Sequence, residues 1–273
     1  MNLIYYKSDI GNFGDDLNPW LWKKLLGDFS LYDDVFDFVG IGSIVDKRIL
    51  DGRKKIIFGS GIRDFSIDRK DFEGFDIRFV RGPISSKILG GVPFITDSAY
   101  CLRLLPQKKY IKKYKLSFIP YFRHVPYFNW GLFERLTGIH VILPTNEVEQ
   151  VITEINESEK IITAAMHGAI LADIYRVPWM RARFSKHGYE SSFTSELKWN
   201  DWFQSIGFNE IPTHNFDFTF KKKNSKFKSL IMMGLMYMRF KHNSFLLSSD
   251  SFLKEIDSKL DLEIQFVKNK YNA

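Results

Sequence analysis

Short apolar runs alternate with helical patterns along most of this 273-residue chain. Runs this short and rich in β-branched and aromatic residues predict buried strands, and their alternation with helices is typical of a doubly wound parallel sheet. The predicted strands cover residues 3–6, 34–42, 55–61, 77–80, 93–97, 116–122, 138–143, 160–165 and 177–182. The predicted helices lie near 17–26, 83–89, 129–137, 146–157, 168–176 and 195–205.

The strands form two groups, separated by the stretch "LLPQKKYIKKYK" (104–115), which shows no periodic pattern and is predicted to be a linker. The sequence therefore predicts an α/β fold of two Rossmann-like domains that face each other across a cleft. We place the N-terminal domain at 1–108 and the second domain at 109–214. A basic helical tail occupies 215–273, where an apolar helical stripe predicts packing on the domains, with a membrane surface as the alternative.

Charge and cysteine content limit the partners and the compartment. The net charge is +7, and residues 215–273 carry 11 basic against 6 acidic side chains. No basic stripe interleaved with aromatics runs through the remaining chain, so a nucleic-acid partner is not expected. The single cysteine, Cys101, and the lack of an apolar run of about 20 residues predict a cytoplasmic protein. Five lysines could hold its tail on the anionic inner membrane face: Lys221, Lys222, Lys223, Lys226 and Lys228.

The segment "IITAAMHGAILADIYRVPW" (161–179) places His167 and Gly168 between a predicted strand and a predicted helix. A helix that begins there points unpaired backbone N–H groups at the cleft, and this predicts an anion site. His167 could add a charged hydrogen bond or a proton to a phosphate oxygen. On spacing alone, a histidine that merely closes the turn explains the pattern equally well.

The loop "SDIGNFGDDLNPW" (8–20) contains Asn12, Gly14, Asp15 and Asp16 before the first predicted helix. Asp15 or Asp16 is expected to be the N-cap of that helix, because aspartate favours this position. Only one carboxylate is needed to cap. The other is predicted to act as a general base on a substrate hydroxyl.

Several cationic side chains follow predicted strands, where open parallel sheets bind ligands. They are Arg63, Arg81, Arg123 with its neighbour His124, Arg181 and Arg183. Guanidinium groups match carboxylate and phosphate oxygens in pairs, so these positions predict a basic, anion-binding cleft. Because the sequence has no zinc-ligand spacing, P-loop or GxSxG motif, no metal site, P-loop nucleotide chemistry or α/β-hydrolase activity is expected.

Eight short segments follow one another along the chain: "GNFGDDLNPWLW", "GIGSI", "IFGSGI", "FVRGPISSKILG", "ITDSA", "FIPYF", "AAMHGAILADIYRVPW" and "KWNDW". In this order they resemble the polysaccharide pyruvyl transferase family, in its exopolysaccharide ketal branch, and the match covers about residues 3 to 205. The resemblance implies a fold like that of the GT-B glycosyltransferases, with the domain at 1–108 on the acceptor side and the domain at 109–214 on the donor side. It also implies transfer of the enolpyruvyl group of phosphoenolpyruvate onto two hydroxyls of a sugar in a surface polysaccharide or its lipid-linked precursor, without a cofactor.

The resemblance also implies roles for individual residues. His167 and Gly168 match the family's phosphate-site motif, Arg81 matches its arginine before the helix, and Asn12 to Asp16 match its N-terminal loop. Gly61, in "IFGSGI", is placed at the substrate as well. Some members have an arginine two residues before the histidine, where this chain has Ala165. Another cation must then bind phosphoenolpyruvate, and Arg123, Arg181 and Arg183 are the candidates.

Two other functions are compatible with these residues. A GT-B glycosyltransferase would hold the diphosphate of a nucleotide sugar at the same helix N-terminus. A non-catalytic glycan-assembly protein would bind polysaccharide without releasing phosphate, and Ala165 keeps that alternative open.

Overall fold

Two parallel β-sheets organise the fold in the computed structural model, which describes residues 1–184, 192–217, 220, 225–241 and 244–272. The first sheet has the strand order β1-β2-β3-β4, with β1 (Asn2–Ile4), β2 (Phe36–Val39), β3 (Lys54–Phe58) and β4 (Asp76–Phe79). The second has the order β6-β5-β7-β8-β9, with β5 (Ser117–Ile119), β6 (His140–Val141), β7 (Ile161–Thr163), β8 (Trp179–Phe184) and β9 (Thr213–Phe216). Every pairing is parallel, which confirms the predicted α/β class.

Helices connect and cover these strands. They are α1 (Phe13–Leu26), α2 (Pro83–Ile88), α3 (Trp130–Thr137), α4 (Val148–Asn156), α5 (Met166–Ile174), α6 (Ser192–Ser205), α7 (Lys226–Arg239) and α8 (Asp250–Tyr271). The 3-10 segments that lie between them include Ser98–Leu104 and Phe122–Tyr127. The parallel order requires crossover connections, and α1, α4 and α5 each lie between two strands of one sheet.

One apolar core joins the two sheets. It contains Phe38 and Phe58 of the first sheet together with Ile161 and Trp179 of the second, all fully buried. The buried Asp173 of α5 ties the same region together by accepting hydrogen bonds from the Tyr100 hydroxyl at 2.7 Å and the Ser248 backbone nitrogen at 2.7 Å. The predicted boundaries at 108 and 214, and the two-domain cleft, stay predictions.

The prediction of a strand at 93–97 is wrong, because this stretch makes only a single bridge, between Phe94 and Val80. Asp97 ends it by capping the following 3-10 segment, with its carboxylate accepting from the Ala99 backbone nitrogen at 3.0 Å. The edge strand β9 was not predicted. Its sequence, "THNF", offers only one buried apolar side chain, Phe216.

The C-terminal helices pack on the rest of the chain. On α8, one stripe is almost completely buried in the common core: Leu253, Ile256, Leu260, Ile264 and Val267. Arg103 adds a paired contact to the Asp257 carboxylate, at 2.7 and 2.8 Å. None of the helices within the described ranges is long and apolar enough to cross a membrane.

Candidate active site

A cavity of about 140 Å³ opens where strands of both sheets end. Tyr6 follows β1, Ser43 follows β2 and Arg63 follows β3, while Arg123 follows β5 and His167 follows β7. The carboxyl ends of parallel strands are the usual ligand-binding edge of an open sheet. Loops from two sheets thus supply one shared wall of polar side chains.

The two neighbouring carboxylates at the start of α1, Asp15 and Asp16, have different surroundings. The N-cap is Asn12, and not Asp15 or Asp16 as the sequence suggested, because the helix begins at Phe13. Asp16 accepts a hydrogen bond from the Asn12 backbone nitrogen at 3.0 Å, and so completes the helix start. Asp15 instead lines the cavity, where the Asn12 side-chain amide donates to it. Asp16 is therefore bound to the helix start, whereas Asp15 faces the cavity.

Asp15 has an unusual acidity. Burial raises the pKa of this carboxyl from 3.8 to about 6, because the charged form is poorly solvated there. The nearby His167 and Lys198, with the hydrogen bond from Asn12, oppose that rise in pKa without cancelling it. A carboxyl with a pKa close to neutral can exchange protons in the working pH range.

His167 lies in the first turn of α5, whose N-cap is Ala165. Its Nε2 atom is 3.8 Å from a carboxylate oxygen of the fully buried Asp97, and among the described residues neither atom has a hydrogen-bond partner. The imidazole packs against Gly14, where a Cβ atom would come within 2.2 Å of Nδ1. The Asp97 carboxylate thus lies on the Nε2 side of the imidazole, and Gly14 allows α1 to approach its Nδ1 side closely.

Four further cationic side chains line the cavity: Arg48, Arg63, Arg123 and Lys198. Arg48 also pairs with Asp46, and Arg123 donates to the Tyr6 hydroxyl at 3.1 Å. Asp15 is the carboxylate in the cavity wall that faces them. The excess of positive charge, together with the N-terminus of α5, favours a small anion with several negative oxygens.

Comparison with known proteins decides the family. The family model for polysaccharide pyruvyl transferase matches residues 3–181. The chain belongs to the polysaccharide pyruvyl transferase family. It is also 38% identical, over 213 residues, to the succinoglycan biosynthesis protein ExoV of Rhizobium meliloti (strain 1021). That alignment covers 76% of this chain, and it spans 65% of the length of ExoV.

The sequence-based resemblance to the polysaccharide pyruvyl transferases is thereby confirmed, and the matched range contains Asp15, Asp97 and His167. Lys198 and the rest of α6 lie beyond its end. The cavity is therefore built partly from the matched range and partly from the chain that follows it.

Arg81 is not a member of the cavity wall. It is fully buried, with Nε at 3.2 Å from a carboxylate oxygen of Asp201 on α6 and Nη1 donating to the Ser43 hydroxyl at 2.6 Å. Its Nη2 lies against Gly61, where a Cβ atom would be only 2.2 Å away. Arg81 thus holds Ser43 in the wall and α6 behind it, and Gly61 provides the space for the guanidinium.

Other predicted site residues also lie away from the cavity wall. Arg181 binds the Glu196 carboxylate at 3.0 and 2.6 Å, and Arg183 contacts the same carboxylate at 3.2 Å. Both line a separate depression of about 340 Å³. His124 is buried and packs against the rings of Tyr121 and Phe220.

The glycines at the site make room for packing. Gly168 is fully enclosed, since a Cβ atom there would come within 2.5 Å of the Thr163 hydroxyl. Like Gly14 and Gly61, it is not part of the cavity wall, so its contribution is a close approach of α5 to β7. Within the described part of the chain, no group of side chains is arranged to hold a metal ion.

Sequence reasoning missed Lys198 and Asp97 as site residues. Ala165 lines the cavity at the position where some family members have an arginine. Of the three arginines that were expected to replace it, Arg123 lines the cavity, whereas Arg181 and Arg183 do not. Lys198 lies in the same wall. The signal was present in "KWNDW" (198–202) and "ITDSA" (95–99), which were used only to identify the family.

Proposed function

We propose that this chain transfers the enolpyruvyl group of phosphoenolpyruvate onto two hydroxyls of one sugar, forming a pyruvate ketal during exopolysaccharide biosynthesis. One observation carries the proposal: Asp15, with its raised pKa, lies beside His167 in a cavity that is also lined by three arginines and a lysine. The acceptor is proposed to be a sugar of a growing polysaccharide or of its lipid-linked precursor. Family membership and the relative's role in succinoglycan biosynthesis support this assignment.

The donor matches the charge of the cavity. Phosphoenolpyruvate carries a carboxylate and a phosphate, and each can accept paired or charge-assisted hydrogen bonds. Arg63, Arg123 and Lys198 supply the cations, and the N-terminus of α5 adds backbone donors. Ala165 carries no charge, so the cations come from other loops and from α6.

The reaction requires one acid and one base. His167 donates a proton to the methylene carbon of the donor, which becomes the methyl group, and a sugar hydroxyl attacks the adjacent carbon. Asp15 accepts the proton of that hydroxyl. Phosphate then leaves, and the second hydroxyl closes the ketal on the same carbon. The two hydroxyl protons balance the new methyl hydrogen and the proton taken up with phosphate, so no oxidant, reductant or cofactor is consumed.

Asp15 is preferred over Asp16 as the base because Asp16 is bound to the start of α1. Asp97 is proposed as a positioning residue that orients the imidazole, as a carboxylate does behind a catalytic histidine. The arginines and the α5 terminus stabilise the charge that develops on the departing phosphate.

The proposal is tested by incubating the protein with phosphoenolpyruvate and a panel of nitrophenyl and lipid-linked sugars while phosphate is measured. We expect phosphate release that depends on the acceptor. Release of nucleoside diphosphate from a nucleotide sugar would instead identify a glycosyltransferase. Acceptor binding without phosphate release from any donor would identify a non-catalytic protein.

Replacing His167 by alanine should lower kcat by about 10²-fold or more, the scale typical of an acid–base residue. The fold should persist, because the imidazole is at the cavity surface with 12% of its side chain exposed. Phosphate release and urea unfolding measure the two effects. His214→Ala, on β9 and outside the cavity wall, is the control. A folded His167→Ala protein with unchanged kcat would remove the assigned role.

Replacing Lys198 by glutamine should weaken phosphoenolpyruvate binding by about 1.5–3 kcal/mol, the value of a hydrogen bond to a charged group. It should also shift the acidic side of the pH profile to higher pH, because Lys198 lowers the pKa of Asp15 and its removal lets that pKa rise. Titration calorimetry and kcat/KM against pH measure the two effects. Lys254→Gln, exposed on α8, is the matched control. An unshifted profile with normal affinity would place Lys198 outside the site.

A further inference from the structure

Helix α7 has two apolar faces, and only one of them is buried. Met232, Met233 and Met236, with Phe240 just after the helix, pack into the core beside α3. Its opposite face is exposed to an unusual extent: Phe227 75%, Leu230 48%, Ile231 48%, Leu235 41% and Met238 57%. At 3.6 residues per turn these five side chains form one continuous stripe along the helix. We call them the α7 stripe.

Basic residues border the α7 stripe on both sides. Helical spacing places Lys228 and Arg239 along one border and Lys226 along the other, and Lys241 follows two residues after the end of the helix. Residues 225–241 contain no aspartate or glutamate. The neighbouring helix α3 carries Glu134, but its carboxylate is occupied by His140 and the Val141 backbone nitrogen.

We propose that the α7 stripe docks on an anionic lipid bilayer, with the helix lying in the plane of the surface. An apolar stripe between two basic borders is the arrangement that buries aliphatic side chains among acyl chains while lysines meet lipid phosphates. The helix is too short and too basic to cross a membrane, so it binds at the surface.

A second copy of this chain fits the α7 stripe less well. A two-fold contact through the stripe would bring the basic borders of two helices together, and no acidic residue of α7 would compensate them. An anionic surface instead offers opposite charge along both borders. The sequence had assigned this role to five lysines. Lys226 and Lys228 lie in the first turn of α7, whereas Lys221, Lys222 and Lys223 lie outside the described residues.

Vesicle sedimentation of the full chain tests the proposal, without phosphoenolpyruvate or acceptor, so the result is independent of the transfer reaction. We expect binding to vesicles of equimolar phosphatidylcholine and phosphatidylglycerol but not to phosphatidylcholine alone. Raising the salt from about 0.1 M to about 1 M, which shortens the Debye length from about 10 Å to about 3 Å, should release most of the protein.

Two variants separate the apolar and the charged contributions. Phe227→Ser with Ile231→Ser and Met238→Ser should lower the partition coefficient at least about tenfold. Lys226→Gln with Lys228→Gln and Lys241→Gln should lower it about 100-fold, at about fivefold per lysine. The matched controls change exposed residues elsewhere: Ile111→Ser with Leu262→Ser, and Lys87→Gln with Lys108→Gln and Lys254→Gln.

Circular dichroism should show unchanged thermal unfolding for these surface variants. Equal sedimentation with both vesicle types, or equal loss in the controls, would overturn the proposal. Light scattering tests the remaining alternative, a dimer that forms through the α7 stripe. A wild-type dimer that becomes monomeric in the Phe227→Ser, Ile231→Ser, Met238→Ser variant would assign the α7 stripe to a second copy of this chain.

Discussion

Replacing Asp15 by asparagine is expected to lower kcat by about 10²–10⁴-fold, the contribution of a general base, while making the folded protein more stable. Asparagine has nearly the same shape and can still accept the hydrogen bond from Asn12. It cannot accept the proton of a sugar hydroxyl. The loss should therefore appear in kcat, measured by phosphate release at saturating donor.

The stability gain follows from the sign of the pKa shift. The pKa of Asp15 is about 6 in the folded chain and near 3.8 in the unfolded chain, so the folded state holds this proton to higher pH. Stability is therefore lost as pH rises from about 3.8 to about 6 and is not recovered above that range. At about 1.4 kcal/mol per pKa unit, the cost at pH 7 approaches about 3 kcal/mol. The uncharged asparagine side chain removes this cost.

Urea unfolding at pH 4 and pH 7 measures this difference, which should be large at pH 7 and small at pH 4. In the wild-type protein, kcat/KM should fall below about pH 6, as Asp15 becomes protonated. Asp16→Asn is the matched control. It keeps an oxygen that can accept from the Asn12 backbone nitrogen, removes a negative charge near the start of α1 at a cost of about 0.3–1 kcal/mol, and leaves kcat nearly unchanged. A less stable Asp15→Asn protein with normal kcat would make Asp15 a structural residue.

Replacing Arg81 by alanine is expected to destabilise the fold by about 3–5 kcal/mol, because it leaves the buried carboxylate of Asp201 without its cation. Both side chains are completely buried, so water cannot replace the lost partner. The sequence placed Arg81 in the anion-binding cleft, where its loss would instead weaken phosphoenolpyruvate binding directly, by about 1.5–3 kcal/mol. Arg81→Lys should be intermediate, because it keeps the charge but cannot contact Asp201 and Ser43 together.

A double variant tests whether the loss of stability in Arg81→Ala comes from the unpaired carboxylate of Asp201. Arg81→Met combined with Asp201→Asn removes both charges, and the asparagine can still accept from the Ser85 backbone nitrogen. The double variant should recover more than half of the free energy of unfolding lost in Arg81→Ala, as measured in urea. If Arg81→Ala unfolds at the wild-type urea concentration, the pair does not hold α6 in place.

The sequence predicted the α/β class because buried parallel strands are locally apolar. Ile56, Ile57 and Phe58 in β3 are an example, since all three are fully buried. The edge strand β9 lacks that signal, because Thr213, His214 and Asn215 are polar. The run at 93–97 resembles a strand locally, but Asp97 turns the chain into a 3-10 segment immediately after it.

For the candidate site, the sequence predicted which residues follow strands, but it did not predict where their side chains point. Asp15 and His167 were both selected because they follow strands, and the structure brings them together in one cavity. Arg81 also follows a strand, yet its guanidinium turns toward Asp201, which is 120 residues later in the chain. Lys198 enters from α6, and no strand-end argument could select it.

The most direct test of the account follows the carbon skeleton of the donor. Phosphoenolpyruvate labelled with ¹³C at its central carbon is incubated with the protein and an acceptor that supports phosphate release, and the product is examined by NMR. The account predicts one labelled ketal carbon, bonded to two oxygens of the same sugar, for each phosphate released. It also predicts almost no label in the products of Asp15→Asn and His167→Ala. Phosphate release that leaves all of the label in free pyruvate would contradict it.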